Sequence, residues 1–364
     1  MSRHGAWRAL MIGVLAAGLA TMTACGTGGT PGGTSETPAT GEGQLGDAAS
    51  PGATGAPLTP GVSAIVDRKT LLLPDGKTIA IDKIPGGALD GFQTRDGWLL
   101  RGYGDGSTTN SLWLVTADGA LRSLVDKSQT PVAVAPDGRH IAWRSGDKLY
   151  TGTIDPRSGV AVGRTSPAPE RGAPFLLTND SVVLAYSETG GGLDHHDVWF
   201  PALGDYKPTW DKTKHVFSVY GAAPGGSNYL GLVQGPAGGK DTCLAELDPK
   251  QNLKAVRTAC GIVTQVDYFG AVSPDGKWFA YHGAGDDGRS RIQVVDLSSV
   301  FTKPAVSVAW KAELIGAWED GTTMLANGLD GGLVRLHLGS ADGEKVDRPG
   351  LAKDARPVLL PRLQ

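Results

Sequence analysis

The feature that most constrains this chain is a unit that returns roughly every 44 residues. Each unit has a short apolar run, a turn, and a second apolar run ending in a small residue and an aromatic. A polar loop and a third apolar run follow. VAVAPDGRHIAWRSGDKLY runs from Val132 to Tyr150, and GAVSPDGKWFAYHGAGDDGRSRIQVV from Gly270 to Val295, repeats its plan. The turn aspartates Asp96, Asp137, Asp180, Asp275 and Asp320 stand 41, 43, 95 and 45 residues apart. The double step conceals one more unit, with its turn at Gly225–Asn228 ahead of Tyr229. A second ladder of apolar runs begins near Thr70, Ser111, Lys148, Asp197, Asp241, Arg291 and Gly332. Seven runs imply seven units.

From residue 61 onward the apolar runs are short, rich in Val, Leu, Ile, Trp and Tyr, and bounded by Gly, Asp, Pro and Ser. That is an all-β pattern. In the Pro-Asp-Gly turns, proline presets φ near −65° and glycine tolerates the left-handed conformation that follows. The small residue before each aromatic position (Gly102, Ala142, Ala185, Ala280, Ala326) suits close sheet packing, and the aromatics are expected in the core. Pro74-Asp75-Gly76 resembles the other turns, but too little chain precedes Asp96 to complete a unit, so it belongs between third and fourth strands. Four-stranded units of this length, seven times over, make an all-β, seven-bladed β-propeller. Val62–Ile84 offers three strands without a leading one, and Ala355–Leu360 offers one. The two are expected to combine into a single blade. A six-bladed ring with loosely attached ends is the alternative.

SPDGKWFAY (273–281) followed by RIQVVDL (291–297), and APDGRHIAW (135–143) followed by KLYTGTI (148–154), resemble the repeats of TolB-type, WD-repeat-like propellers. The resemblance covers residues 61–362 as architecture. It implies a protein-binding platform in the cell envelope and carries no catalytic residue to this chain.

The first 24 residues read as a signal peptide, with Arg3 and Arg8 before an apolar stretch, Ala9–Ala20, too short to span a bilayer. Met22-Thr23-Ala24-Cys25 resembles the lipobox of bacterial lipoproteins, in which the cysteine is lipidated; Met22 stands where leucine is usual. An ordinary secretory signal cut near Ala24 is the alternative. Residues 25–60 hold Cys25 and a Gly/Pro/Ser/Thr tether without enough apolar surface to offset ordering. Its 35 residues after Cys25 would span about 30–35 Å. The propeller is assigned to residues 61–364. Cys25 thus implies a lipid anchor at the extracytoplasmic face of the cell membrane. Cleavage leaves 32 basic and 37 acidic residues, a net charge of −5, with no basic run to favour nucleic acid. Cys243 and Cys260 flank the turn Asp248–Asn252 almost symmetrically and, in an oxidising compartment, are expected to form a disulfide. Two free thiols on adjacent strands are the alternative.

The longer loops join second to third strands and share one rim with the fourth-to-first connections, including Pro167–Pro174 and Asp211–His215. Binding is expected there. The candidate rim residues are Asp105, Asp194, His195, His196, Lys240, His282, Asp286, Asp287 and Arg289. Asp194-His195-His196-Asp197 could in principle ligate a transition metal. Adjacent histidines in a strand point to opposite faces, however, so solvated loop residues are the expectation. Asp286-Asp287 lacks Ca²⁺-loop spacing. No metal or cofactor is expected. Neither Gly-x-Ser-x-Gly, a P-loop nor His-Glu-x-x-His is present. The reading is a monomeric, non-catalytic platform for an envelope protein, peptide or polymer. The alternative is an enzyme acting on envelope glycans at the central funnel, which would need two carboxylates or a metal cluster on the axis.

Overall fold

The turn Ala135–Arg139 shows how the repeat folds locally. The Gly138 N–H donates to the Ala135 carbonyl at 2.9 Å, and the Asp137 carboxylate accepts from the N–H groups of Arg139 and His140 at 2.8 and 3.0 Å. Gly138 sits at φ +67° and Gly276, its counterpart in Pro274-Asp275-Gly276, at +71°. A side chain would be strained in either place. Asp275 repeats the bonding, accepting from Ser273 Oγ at 2.6 Å and Lys277 N–H at 3.1 Å.

The computed structural model describes residues 61–363 except 105–107, 179, 187–194, 224–226, 237–241, 263–269, 285–289, 313–315 and 341. The first sheet contains β1 (Ser63–Val66), β2 (Thr70–Leu72) and β3 (Thr78–Ala80). The second is β4 (Ala88–Thr94), β5 (Gly97–Tyr103), β6 (Asn110–Val115) and β7 (Leu121–Ser128). The third is β8 (Ala133–Val134), β9 (His140–Ser145), β10 (Lys148–Asp155) and β11 (Gly159–Pro167). The fourth has three strands, β12 (Gly172–Leu177), β13 (Val182–Tyr186) and β14 (His195–Trp199), followed by a short helix, α1 (Trp210–Thr213). The fifth is β15 (Val216–Ala222), β16 (Tyr229–Gln234), β17 (Thr242–Asp248) and β18 (Lys254–Cys260). The sixth is β19 (Gly270–Val272), β20 (Trp278–Ala284), β21 (Ser290–Asp296) and β22 (Val308–Trp310). The seventh is β23 (Ala317–Trp318), β24 (Thr323–Asn327), β25 (Leu333–His337) and β26 (Glu344–Val346). Every described pairing between named strands is antiparallel to a sequence neighbour, save one.

That exception closes the ring. β27 (Val358–Leu360) pairs antiparallel with β1, Ser63 opposite Leu360 and Ile65 opposite Val358. It supplies the innermost strand of the first blade, so the expected mixed blade forms. Beyond it, Pro361 and Leu363 bond through their backbones to Gln93 of β4 at 2.9 and 2.8 Å. The seven third-strand positions of the second ladder fall in β2, β6, β10, β14, β17, β21 and β25. The concealed unit is β15–β18. Pro74-Asp75-Gly76 joins β2 to β3, as its spacing predicts.

Among the described residues the core forms seven clusters, and each lies between two successive blades. Leu71, Ile81 and Leu360 of the first blade meet Trp98, Leu100 and Val115 of the second. Val62 meets Ala317, Leu325 and Leu333 of the seventh. Ile141 and Trp143 pack on Leu99 and Leu112, Trp199 on Ala133 and Leu149, and Val183 on Val216 and Val219. Phe279 and Tyr281 join Leu230 and Leu244, while Met324 and Leu336 join Ile292 and Trp310. Both faces of each sheet are therefore covered. Each fully buried leucine or isoleucine contributes about 1.5–3 kcal/mol through the water it no longer orders. Because the first blade shares one cluster with the second and another with the seventh, the ring is closed and seven-bladed. Ala142, Ala185, Ala280 and Ala326 are all buried, and Trp143 and Tyr281 fill the space beside two of them. Tyr103 and Tyr186 remain half-buried.

Cys243 and Cys260 are direct cross-strand partners on β17 and β18 and are joined as a disulfide. None of the described helices is long and apolar enough to cross a membrane.

Candidate functional site

The candidate binding residues are expected on the rim that carries the second-to-third loops. Asp105, Asp194, Lys240, Asp286, Asp287 and Arg289 lie outside the described residues, and His195 opens β14 with its side chain likewise outside them. His196 and His282 are described, and both correct the expectation of a solvated loop. His196 is fully buried in β14, its ring edge-on to Phe175 at 6.1 Å. His282 lies within β20 at 8% exposure. The reason is architectural. An inner strand of the ring has a neighbouring blade on each face, so at these positions alternation moves a side chain from one interior to the other.

Asp197 departs furthest from expectation. It is buried in full and faces the third blade, on the same side of β14 as Trp199. Its carboxylate accepts from the Val198 N–H at 2.9 Å, the Thr209 N–H at 2.7 Å, the Tyr206 hydroxyl at 2.7 Å and the Thr209 hydroxyl. Four donors satisfy a charge that would otherwise be costly so deep. Three of the four come from the segment 200–213, which occupies the place of a fourth strand. Thr213 donates its hydroxyl to the His196 carbonyl, and Trp199 Nε1–H donates to the Gly204 carbonyl at 2.8 Å. The free edge of β14 is thereby closed by side chains where the other blades use a backbone ladder.

The cluster continues toward the rim. The Tyr206 hydroxyl also bonds that of Tyr186. Burial pushes both phenols well above the usual tyrosine range, and for Tyr206 the bonds to Tyr186 and Asp197 push further in that direction. Both remain protonated donors at any physiological pH. Arg144, on β9 of the adjoining blade, donates to the carbonyls of Gly172 at 2.9 Å and Glu170 at 3.1 Å. Burial lowers its pKa, and the neighbouring Tyr186 opposes that shift. These residues form a polar knot that fixes connecting chain.

Two other features bear on chemistry. Among the described residues the innermost strands β4, β8, β12, β15, β19, β23 and β27 carry a single carboxylate, Asp90, ion-paired with Arg101, whose guanidinium lies 5.1 Å from the centre of the Phe92 ring. Among the described residues no group of three or more His, Cys, Asp or Glu is placed to hold a metal. On the opposite rim His140 Nδ1 bonds Asp137 Oδ2 at 2.5 Å, and Arg139 reaches Asp96 of the preceding blade at 3.4 Å. Sequence reasoning missed the Asp197 knot, because Tyr206 and Thr209 sit 9 and 12 residues away in chain without strand alternation. The available signal was the lack of a fourth apolar run between Trp199 and Val216.

The molecule belongs, by architecture, to the seven-bladed β-propellers. No family model matches the chain, and no curated protein matches it. Among solved structures it is similar to a functionally unknown protein from Desulfotomaculum acetoxidans DSM 771, with a TM-score of 0.51 and 10% identity, over 83% of this chain and 99% of that one. It is also similar to TolB from Acinetobacter baumannii, with a TM-score of 0.39 and 11% identity, over 66% of this chain and 61% of that one. At such identities the first likeness establishes the fold alone, and the second carries no weight for function.

Proposed function

We propose that this chain is a lipid-anchored, extracytoplasmic propeller of TolB type that binds an envelope protein, peptide or polymer, acts as a monomer and performs no chemistry. The observation that carries the reading is the division of labour within the ring. Among the described residues seven apolar interfaces hold a rigid frame, on which the connections between strands can vary at little cost to it. The carboxylate on the described innermost strands, Asp90, is paired with Arg101, and a glycan hydrolase would use two carboxylates there. The repeats SPDGKWFAY and APDGRHIAW support the TolB-type reading, and Met22–Cys25 supports the anchor at Cys25.

Crosslinking in intact cells, followed by recovery of the anchored protein, tests the platform. A specific envelope partner is expected. Recovery of none, together with turnover of an envelope glycan by the purified protein, would reverse the reading. Membrane fractionation of Cys25→Ala tests the anchor: the variant should leave the membrane fraction, and unchanged membrane association would refute lipidation at that residue.

A further inference from the structure

Each blade of a propeller ends in an outer strand whose far edge is open, and natural sheets protect such edges by keeping them short, charged or covered. Six blades here follow that rule. β3, β22 and β26 have three residues each. β7 carries Arg122, Asp126 and Lys127, and β18 carries Lys254 and Arg257 and is tied to β17 by the disulfide. The edge of β14 is covered by the segment that Asp197 holds. β11 is different. It is nine residues long, the longest described strand, and reads GVAVGRTSP. Ala161–Thr165 are exposed in succession, Val162 at 56%, and Arg164 is the strand's one charge. Its ladder partner is β10. Proline, another common guard, comes only at its last position, Pro167, and a bulge at Gly163–Arg164 divides the edge into two stretches, Gly159–Val162 and Thr165–Pro167.

We infer that the outer edge of β11 is a strand-addition site, taking an extended, acidic segment of a protein partner as a fifth strand of the third blade. Main-chain bonds would give such a segment its affinity, and alternate side chains its selectivity. Charge selects the occupant. Besides Arg164, the exposed Arg122 and Arg157 flank the near end of the strand, linked by the Arg122 guanidinium donating to the Arg157 carbonyl, and outnumber the one carboxylate in that turn, Asp155, which accepts from the Arg157 N–H at 2.7 Å. A second copy of this chain fits less well. Self-pairing would place two Arg164 in one ladder. The inference rests on the proposed protein-binding role and states where the partner's backbone would lie.

A random nine-residue peptide library displayed on phage, selected against the full mature chain, tests it. Enriched peptides should alternate β-branched with polar residues and carry Asp or Glu. Val162→Lys should weaken their binding at least about tenfold by charging the edge. Arg164→Glu should weaken acidic peptides about fivefold and strengthen their lysine counterparts, an exchange that loss of folding cannot produce. Val256→Lys, on the outer strand β18, should leave binding unchanged. No strand-patterned enrichment, or equal binding to Val162→Lys, would overturn the inference. So would a dimer that Val162→Lys dissolves, since the occupant would then be a second copy. Photo-crosslinkers placed in cells at Val162 and at Lys69 on the loop rim separate this failure from the broader one. Capture at Lys69 alone overturns the edge site and keeps the platform; capture at neither overturns both.

Discussion

Single residues in this ring do work that composition alone would not assign to them. Asp197 is the clearest. Replacing it with alanine leaves the Tyr206 hydroxyl and the Thr209 N–H and hydroxyl buried without their acceptor, and the loss should be about 3 kcal/mol. Urea unfolding of Asp197→Ala measures it, and a loss under about 1 kcal/mol would mean that the segment 200–213 is held by something else. His140 gives a pH signature. Its bond to the Asp137 carboxylate raises its pKa above the ordinary 6.5, although burial opposes this. Burial alone would raise Asp137, yet the bonds from His140 and from the Arg139 and His140 N–H groups hold it at about 2. The folded chain thus favours charged His140, so that contribution is complete below pH 6.5 and fades as pH rises through the raised value. The Asp137 contribution is present above 3.8 and disappears as pH falls through about 2. His140 should titrate by NMR above 6.5 in the native protein and fall back in Asp137→Asn. An unshifted native value would discount the pair. Neither role was visible in the sequence. His196 and Asp197 abut a glycine-rich loop and share its polarity, so they read as solvated, whereas two-sided covering of the strand buries them.

At the scale of elements, turn chemistry was the most legible signal. Each Pro-Asp-Gly joins the strands its spacing assigns, because proline and glycine fix the bend locally, without help from the rest of the ring. The innermost strands were nearly illegible. β8 and β23 have two residues each, too few for any period to emerge. The fourth blade's missing outer strand could be read only as a gap, since nothing local announces that a carboxylate will replace a ladder. The turn glycines also space the blades. An added Cβ at Gly138 would lie 2.9 Å from Thr94 Cγ2 of the neighbouring blade, while at Gly146, with φ +61°, it would meet nothing within 4 Å. Gly146→Ala should therefore cost about 1 kcal/mol, for conformation alone, and Gly138→Ala about 2 kcal/mol or more. Thermal melts of the two variants decide the matter, and equal losses would deny the glycine a role between blades.

For the whole molecule, closure is the property on which the rest depends. Ending the chain at Pro357 removes β27, deprives Ser63–Ile65 of their ladder and takes fully buried Leu360 from the first interface. The shortened protein should lose its cooperative melt and expand, as seen by small-angle scattering and near-ultraviolet dichroism. An unchanged radius and melt would show that the ring does not need its last strand. The seam has a second consequence. Ser63 stands opposite Leu360, so the folded body begins and finishes at one spot, and its point of departure is arbitrary. A circular permutant, with Gly61 linked to Leu363 by a few glycines and new ends cut at Gly146, should assemble the same wheel, because no spoke has to be laid down first.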